Sequence, residues 1–264
     1  MAFQNKTKNK NNNIKIPNHK QQNYVVVFDL DETLGHFEQL SIFWDCLNHY
    51  FNNTLNKQDL FNMFDLFPGF LRPKIFKILK YLKEKKINKI CDKVMIYTNN
   101  NGREWPHLIK EYFEYKLKFN LFDQVIAAFK AHGELIELGR TSHDKSVKDF
   151  INCTKLPDNT QIFFLDDAMH TDMKHENVVY IHIKPYTTSI PYETMVTDYY
   201  NANKAKIKDK NEFSRVMILC LNQYKYKLKL KTETEQKLDG ILSKKIQEHL
   251  EHFFDGKKPR NSTL

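Results

Sequence analysis

Two aspartates spaced one residue apart close an apolar run. In YVVVFDLDETLGHFE, residues 24–38, Asp29 and Asp31 follow the segment Tyr24 to Phe28 directly. In an extended chain residues i and i+2 point to the same side, so a strand ending here aims both carboxylates into one crevice and turns Leu30 and Glu32 away. Two acids this close do not both ionise easily without a cation, which pushes their pKa values apart. With Mg²⁺ holding one of them ionised, the pair can divide labour as nucleophile and general acid.

Other segments supply what such a pair needs. KVMIYTNN, residues 93–100, sets Thr98 and Asn99 just after an apolar run, where a hydroxyl and neighbouring backbone N–H groups suit phosphate oxygens. QIFFLDD, residues 161–167, ends in Asp166 and Asp167, hard oxygen ligands of the kind Mg²⁺ takes. RTSHDKSVKDF, residues 140–150, offers Lys145 near a helix start and Lys148 a turn further on, either able to neutralise phosphoryl charge. Thr141, Ser142 and Asp144 precede them as candidate caps. Acid pair, hydroxyl, lysine and second acid pair, in that order and mostly on strand ends, make a phosphoryl-transfer site. His170 and His175, at i and i+5, do not share a helical face and are not read as metal ligands. Arg72, before Pro73, could bind a substrate phosphate or an acidic neighbour, with a structural use preferred.

The elements that must position these groups alternate. Five apolar runs, at 24–28, 93–98, 124–129, 161–166 and 178–183, read as strands. Most lack a polar/apolar alternation, as expected of strands covered on both faces. Between them, residues 72–87 and 103–117 carry apolar residues at helical spacing. The fold class expected is therefore α/β, a mostly parallel central sheet flanked by helices. Residues 35–70 are too long for a plain loop and are read as a small helical insertion after the first strand. Beyond about residue 188 three helices are expected, the last with an apolar stripe of Leu238, Ile241, Leu242, Ile246, Leu250 and Phe253. The organisation read is a flexible basic tail at 1–23, a domain at 24–188, and a C-terminal helical extension at 189–264.

The 264 residues carry a formal charge of +9, about half of it from Lys6, Lys8, Lys10, Lys15 and Lys20 in an opening segment that holds no acid. Such a tail is a route to nucleic acid as well as to solvent. No run approaches the ~18 apolar residues of a membrane span, and no apolar stretch follows the first lysines. Cys46, Cys91, Cys153 and Cys220 are far apart with no CxxC pair, so neither a zinc knuckle nor a disulfide framework is expected. A reducing compartment, cytoplasmic or nuclear, follows as the expectation.

At DLDETL, Thr98, the lysine and Asp166-Asp167 the chain resembles the haloacid-dehalogenase superfamily. DLDETL (29–34), PGFLRP (68–73) and VKDF (147–150) are similar, within it, to the C-terminal-domain phosphatases of RNA polymerase II and their NLI-interacting-factor-like relatives. The resemblance spans roughly residues 24–186 and implies a Rossmann-like fold and a Mg²⁺-dependent phosphatase. It implies that Asp29 attacks phosphorus to form an aspartyl-phosphate, that Asp31 protonates the leaving oxygen and then activates water while its backbone carbonyl binds the metal, and that Thr33 orients Asp31. Thr98, Asn99 and the lysine then hold the phosphoryl group, and Asp167 with Asp166 completes the metal site. VKDF favours Lys148 as that lysine, while the start of the helix favours Lys145, which is preferred. The small polymerase phosphatases have Asp-Asn where this chain has Asp166-Asp167. The partner implied is a phosphorylated protein or peptide. A nucleic-acid end phosphatase and a non-catalytic interaction module on the same fold are the alternatives.

Overall fold

The computed structural model of the chain describes residues 23–102, 104–256 and 262–264. The basic tail expected at 1–23 lies, but for Asn23, outside them. In chain order the elements are β1 (Tyr24–Phe28), α1 (Glu38–Tyr50), α2 (Lys57–Leu66), a 3-10 turn (Pro68–Phe70), α3 (Ile75–Ile87), β2 (Lys93–Tyr97), α4 (Trp105–Leu117), β3 (Gln124–Ile126), β4 (Lys130–Ala131), β5 (Glu134–Leu135) and α5 (Val147–Thr154). They continue through β6 (Gln161–Asp166), a second 3-10 turn (Thr171–Met173), β7 (Val178–His182), α6 (Tyr192–Ala202), α7 (Lys210–Gln223), α8 (Glu233–Phe254) and β8 (Ser262–Thr263).

Six strands form one sheet in the order β3-β2-β1-β6-β7-β8, and each neighbouring pair is parallel. Chain order runs outward from β1 through β2 to β3, then returns across β1 to β6 and proceeds the other way. That reversal puts a topological switch point between β1 and β6, where open α/β sheets hold ligands beyond the strand C-termini. The register sets Phe28 level with Ile96 on one side and Leu165 on the other, so the chain leaves all three strands at one height.

The uniform apolarity of β1 has a direct cause in packing. Val26 and Phe28 face one core, shared with α1–α4 and α6–α8, while Val25 and Val27 face a second with Phe150 and Tyr180. All five of Val25, Val26, Val27, Phe28 and Leu30 have no exposed surface, each worth about 1.5–3 kcal/mol of burial. The segment 35–70 holds α1, α2 and a 3-10 turn, and α2 is closed by a capping box between Asn56 and Asp59. Gln39 pins α1 to the chain before α6 through both ends of its amide, at 2.6 Å to the Ile190 carbonyl and 3.0 Å from its N–H.

Two expectations are corrected. Cys46 on α1 and Cys220 on α7 form a disulfide, their Cα atoms 5.8 Å apart across 174 residues of sequence, because the C-terminal helices fold back over the insertion; Cys91 and Cys153 stay free. The stripe on α8 is narrower than read: Leu242, Ile246, Leu250 and Phe253 are buried, whereas Leu238 and Ile241 face solvent, since the body contacts only one side of the helix. β8 and the β4–β5 hairpin, two residues per strand, carry too short an apolar signal to be read. Among the described residues no helix is long and apolar enough to cross a membrane.

Candidate active site

Parallel strands deliver their C-terminal ends to one edge, and residues at or just past the ends of β1, β2 and β6 meet there with Lys145, two residues before α5. A cleft of about 330 Å³ is lined by Asp29, Asp31, Thr98, Asn99, Lys145, Asp166 and Asp167, among others. All seven had been singled out from the sequence. Lys148 is exposed on the outer side of α5, while Lys145 is 1% exposed in the cleft. Ser146 caps α5 by accepting from the Asp149 N–H at 3.1 Å, and so turns the preceding lysine inward.

Lys145 is the positive centre. Its Nζ donates to Asp29 Oδ1 and to Asp166 Oδ2, each at 2.6 Å. Burial works against its charge, but Asp29 and Asp166 overcome it and hold its pKa above the usual lysine range. Carboxylate oxygens of Asp29, Asp166 and Asp167 all lie within 4.8 Å of one another. Asp166 is fixed by the Ala168 N–H, which donates to its Oδ1 at 2.8 Å.

The acids outnumber this lysine, and their pKa values respond. Burial raises Asp29 above the usual carboxylate range, Lys145 opposes the rise, and Asp166 adds to it. Asp31 is pushed up to about 7, chiefly by burial, although its Oδ2 accepts from Asn100 Nδ2 at 2.7 Å. Asp167 is also pushed up to about 7, by burial and then by Asp29 and Asp166. Clustered hard oxygens short of positive charge are a donor set that fits Mg²⁺.

The turn after β1 is held by residues outside it. Glu32 adopts a left-handed backbone, φ 57°, at a cost of about 1–2 kcal/mol for a non-glycine residue. Its N–H donates to the Gly35 carbonyl at 2.7 Å. Gly35 is required there, since a Cβ would stand 2.6 Å from the Phe37 ring and 2.7 Å from the Phe70 carbonyl. Arg72, 1% exposed, clamps the turn by donating to the carbonyls of Thr33, Glu32 and Lys184, which is the structural use read for it. Thr33 differs from expectation. Its hydroxyl donates to Asp167 Oδ1 at 3.0 Å and accepts from the Asp167 N–H at 3.2 Å, while Asp31 is held by Asn100. The left-handed step at Glu32 swings Thr33 toward the end of β6.

Three contributors were not read from the sequence as part of the site. Arg140, 3% exposed, donates to the carbonyls of Thr98 at 3.0 Å and Ala127 at 2.8 Å, and to Asn99 Oδ1 at 2.8 Å, fixing the turn after β2. Asn100 donates its N–H to Thr98 Oγ1 at 3.0 Å and so joins Thr98 to Asp31. His170 lines the cleft with Nε2 3.6 Å from Asp166 Oδ2, whereas His175 is exposed. Burial and the nearby Lys145 lower His170 to about 4, so its ring is neutral at ordinary pH. These residues lie on loops, where helix and strand periodicity says nothing. The chain matches no protein-family model, and comparison with curated proteins and with solved structures returns no significant match.

Proposed function

We propose that the chain is a Mg²⁺-dependent phosphomonoesterase that works through an aspartyl-phosphate on Asp29, with phosphoserine or phosphothreonine in a protein as its substrate class, as the haloacid-dehalogenase resemblance implies. The observation that carries this reading is the meeting of Asp29, Thr98, Lys145, Asp166 and Asp167 in one cleft at the switch point of a parallel sheet.

Lys145 opposes the protonation of Asp29 and aims it, with Nζ 2.6 Å from its Oδ1. An Asp29 carboxylate oxygen attacks phosphorus, and the bond to the ester oxygen breaks in line. Asp31, whose pKa pushed up to about 7 leaves a good part of it protonated near neutrality, gives its proton to the departing alkoxide. The resulting Asp31 carboxylate takes a proton from water, whose oxygen attacks phosphorus, releasing inorganic phosphate and restoring Asp29. The Thr98 hydroxyl and the Lys145 ammonium offset charge on the phosphoryl oxygens. Asp29, Asp166, Asp167 and the Asp31 carbonyl would hold Mg²⁺, which neutralises the clustered acids and the incoming phosphate when bound. The test is phosphate release from an aryl phosphate with Mg²⁺: wild type turns over and Asp29→Asn does not. Full activity in the variant contradicts the reading.

A further inference from the structure

The catalytic cleft opens into a second groove of about 510 Å³ that shares Asp31, Glu32 and Asn100 with it. A substrate seated on Asp29 must send its chain out along such an opening. One wall is the outer face of α1, where Glu38, Ser41, Asp45 and His49 succeed one another at three- and four-residue intervals, the spacing of a single helical face. The other wall is the turn Asn100 to Gly102 with the half-buried ring of Trp105. Beyond Asp45 the groove runs into a third of about 470 Å³ between α1 and α7, lined by His49, Val216, Leu219 and Tyr224.

Among the described residues that line the groove leaving Asp31, the full charges are all acidic. Glu38 and Asp45 are exposed, and neither has a cation within ion-pair distance among the described residues. Among the described residues, the ion-pair partners of Glu32 are Lys229, at 3.3 Å, and the ring of His36, at 3.8 Å. No described lysine or arginine lines the groove leaving Asp31. In a chain with a formal charge of +9, an acidic exit from the reaction centre runs against the molecule's average. It attracts a cationic segment and repels the backbone of a nucleic acid.

We propose that α1 and Trp105 form the substrate-recognition track, and that the substrate is a phosphopeptide with lysine or arginine beside the phosphorylated residue. The proposal rests on the phosphatase reading above and names its substrate class. Glu38 and Asp45 are seven residues apart, about 10 Å along a helix, which an extended peptide covers in about three residues. The track therefore selects two basic residues three positions apart, followed by an apolar residue for the groove of Leu219 and Tyr224.

Wild-type protein with Mg²⁺ is assayed on phosphoserine peptides whose flanks carry Lys/Arg at that spacing, neutral residues, or Glu, and on a 3′-phosphorylated oligonucleotide. An aryl phosphate run alongside reports on the chemistry alone. The basic peptide is expected to exceed the neutral one at least tenfold in kcat/KM at low ionic strength. That ratio should shrink toward one in high salt and in Glu38→Lys/Asp45→Lys, with the change in KM. The milder Glu38→Gln/Asp45→Asn, two exposed isosteric changes, should lower it part of the way. Equal turnover of all three peptides, or preference for the oligonucleotide, overturns the track while leaving the phosphatase standing. No turnover of any substrate, aryl phosphate included, overturns both.

Discussion

Replacing Lys145 by methionine removes the ammonium that, among the described residues, pairs with both Asp29 and Asp166, and keeps most of the side-chain volume. Both contacts are 2.6 Å and the lysine is 1% exposed, so water cannot take its place. At an effective dielectric of about 20, two carboxylate charges 4.8 Å apart, the outer limit within the Asp29–Asp166–Asp167 group, repel by about 3 kcal/mol. The variant relieves this by protonating a carboxyl, and that step caps the loss. Relative to the unfolded chain, whose carboxyls keep the ordinary pKa near 3.9, holding that proton costs about 5 kcal/mol at about pH 7.5 and about 2 kcal/mol at about pH 5.5. The expected destabilisation is thus about 3–5 kcal/mol at the higher pH, the range for breaking a buried pair, and about 2 kcal/mol at the lower. The sign is definite. The folded variant binds a proton that the unfolded chain has released, so its stability falls as pH rises above the unfolded carboxylate pKa. Urea unfolding of both proteins in chelator at the two pH values measures it, and saturating Mg²⁺ should recover part of the loss. A loss under about 1 kcal/mol, or one that does not change with pH, refutes the picture of an acid-rich cleft neutralised by this lysine.

Other outcomes follow from the same geometry. With a poor alkoxide leaving group, kcat/KM should fall as pH rises through about 7, because Asp31, whose pKa is pushed up to about 7, loses the proton it must donate; a nitrophenyl ester, whose leaving group needs no proton, should not show this limb. Arg140→Met removes the donor that holds the carbonyls of Thr98 and Ala127 and the side chain of Asn99, and should cost about 3 kcal/mol in urea unfolding and raise KM for an aryl phosphate. The Cys46–Cys220 bond should be worth about 2–4 kcal/mol. Thiol titration of unfolded, unreduced protein should count the free Cys91 and Cys153 alone; finding all four cysteines reactive contradicts the pairing.

What could be read from the sequence divides along physical lines. β1 and β6 have the bounds read for them, Tyr24–Phe28 and Gln161–Asp166, because strands buried on both faces announce themselves as unbroken apolar runs. The runs at 93–98 and 124–129 were read too long, ending as strands at Tyr97 and Ile126, because the chain leaves the ladder where Thr98 and Ala127 offer their carbonyls to Arg140. The acid pairs and Thr98 were legible because strand-end position fixes where a side chain points. Choosing Lys145 over Lys148 needed only the start of α5. Thr33's hydrogen bond to Asp167, Arg140's hold on the turn after β2, and the Cys46–Cys220 pairing join segments 134, 42 and 174 residues apart. No local pattern encodes such distances; they follow from the tertiary fold.

The claim at the centre is that Asp29 carries the phosphoryl group. Asp31→Asn, which lacks the base that activates water, should accumulate the intermediate when mixed with a radiolabelled aryl phosphate and Mg²⁺ and quenched in acid. The label should be hydroxylamine-labile, map to the peptide containing Asp29, and be absent from the Asp29→Asn protein. Phosphate release by the wild type with no trappable label, or with label on another residue, contradicts the account.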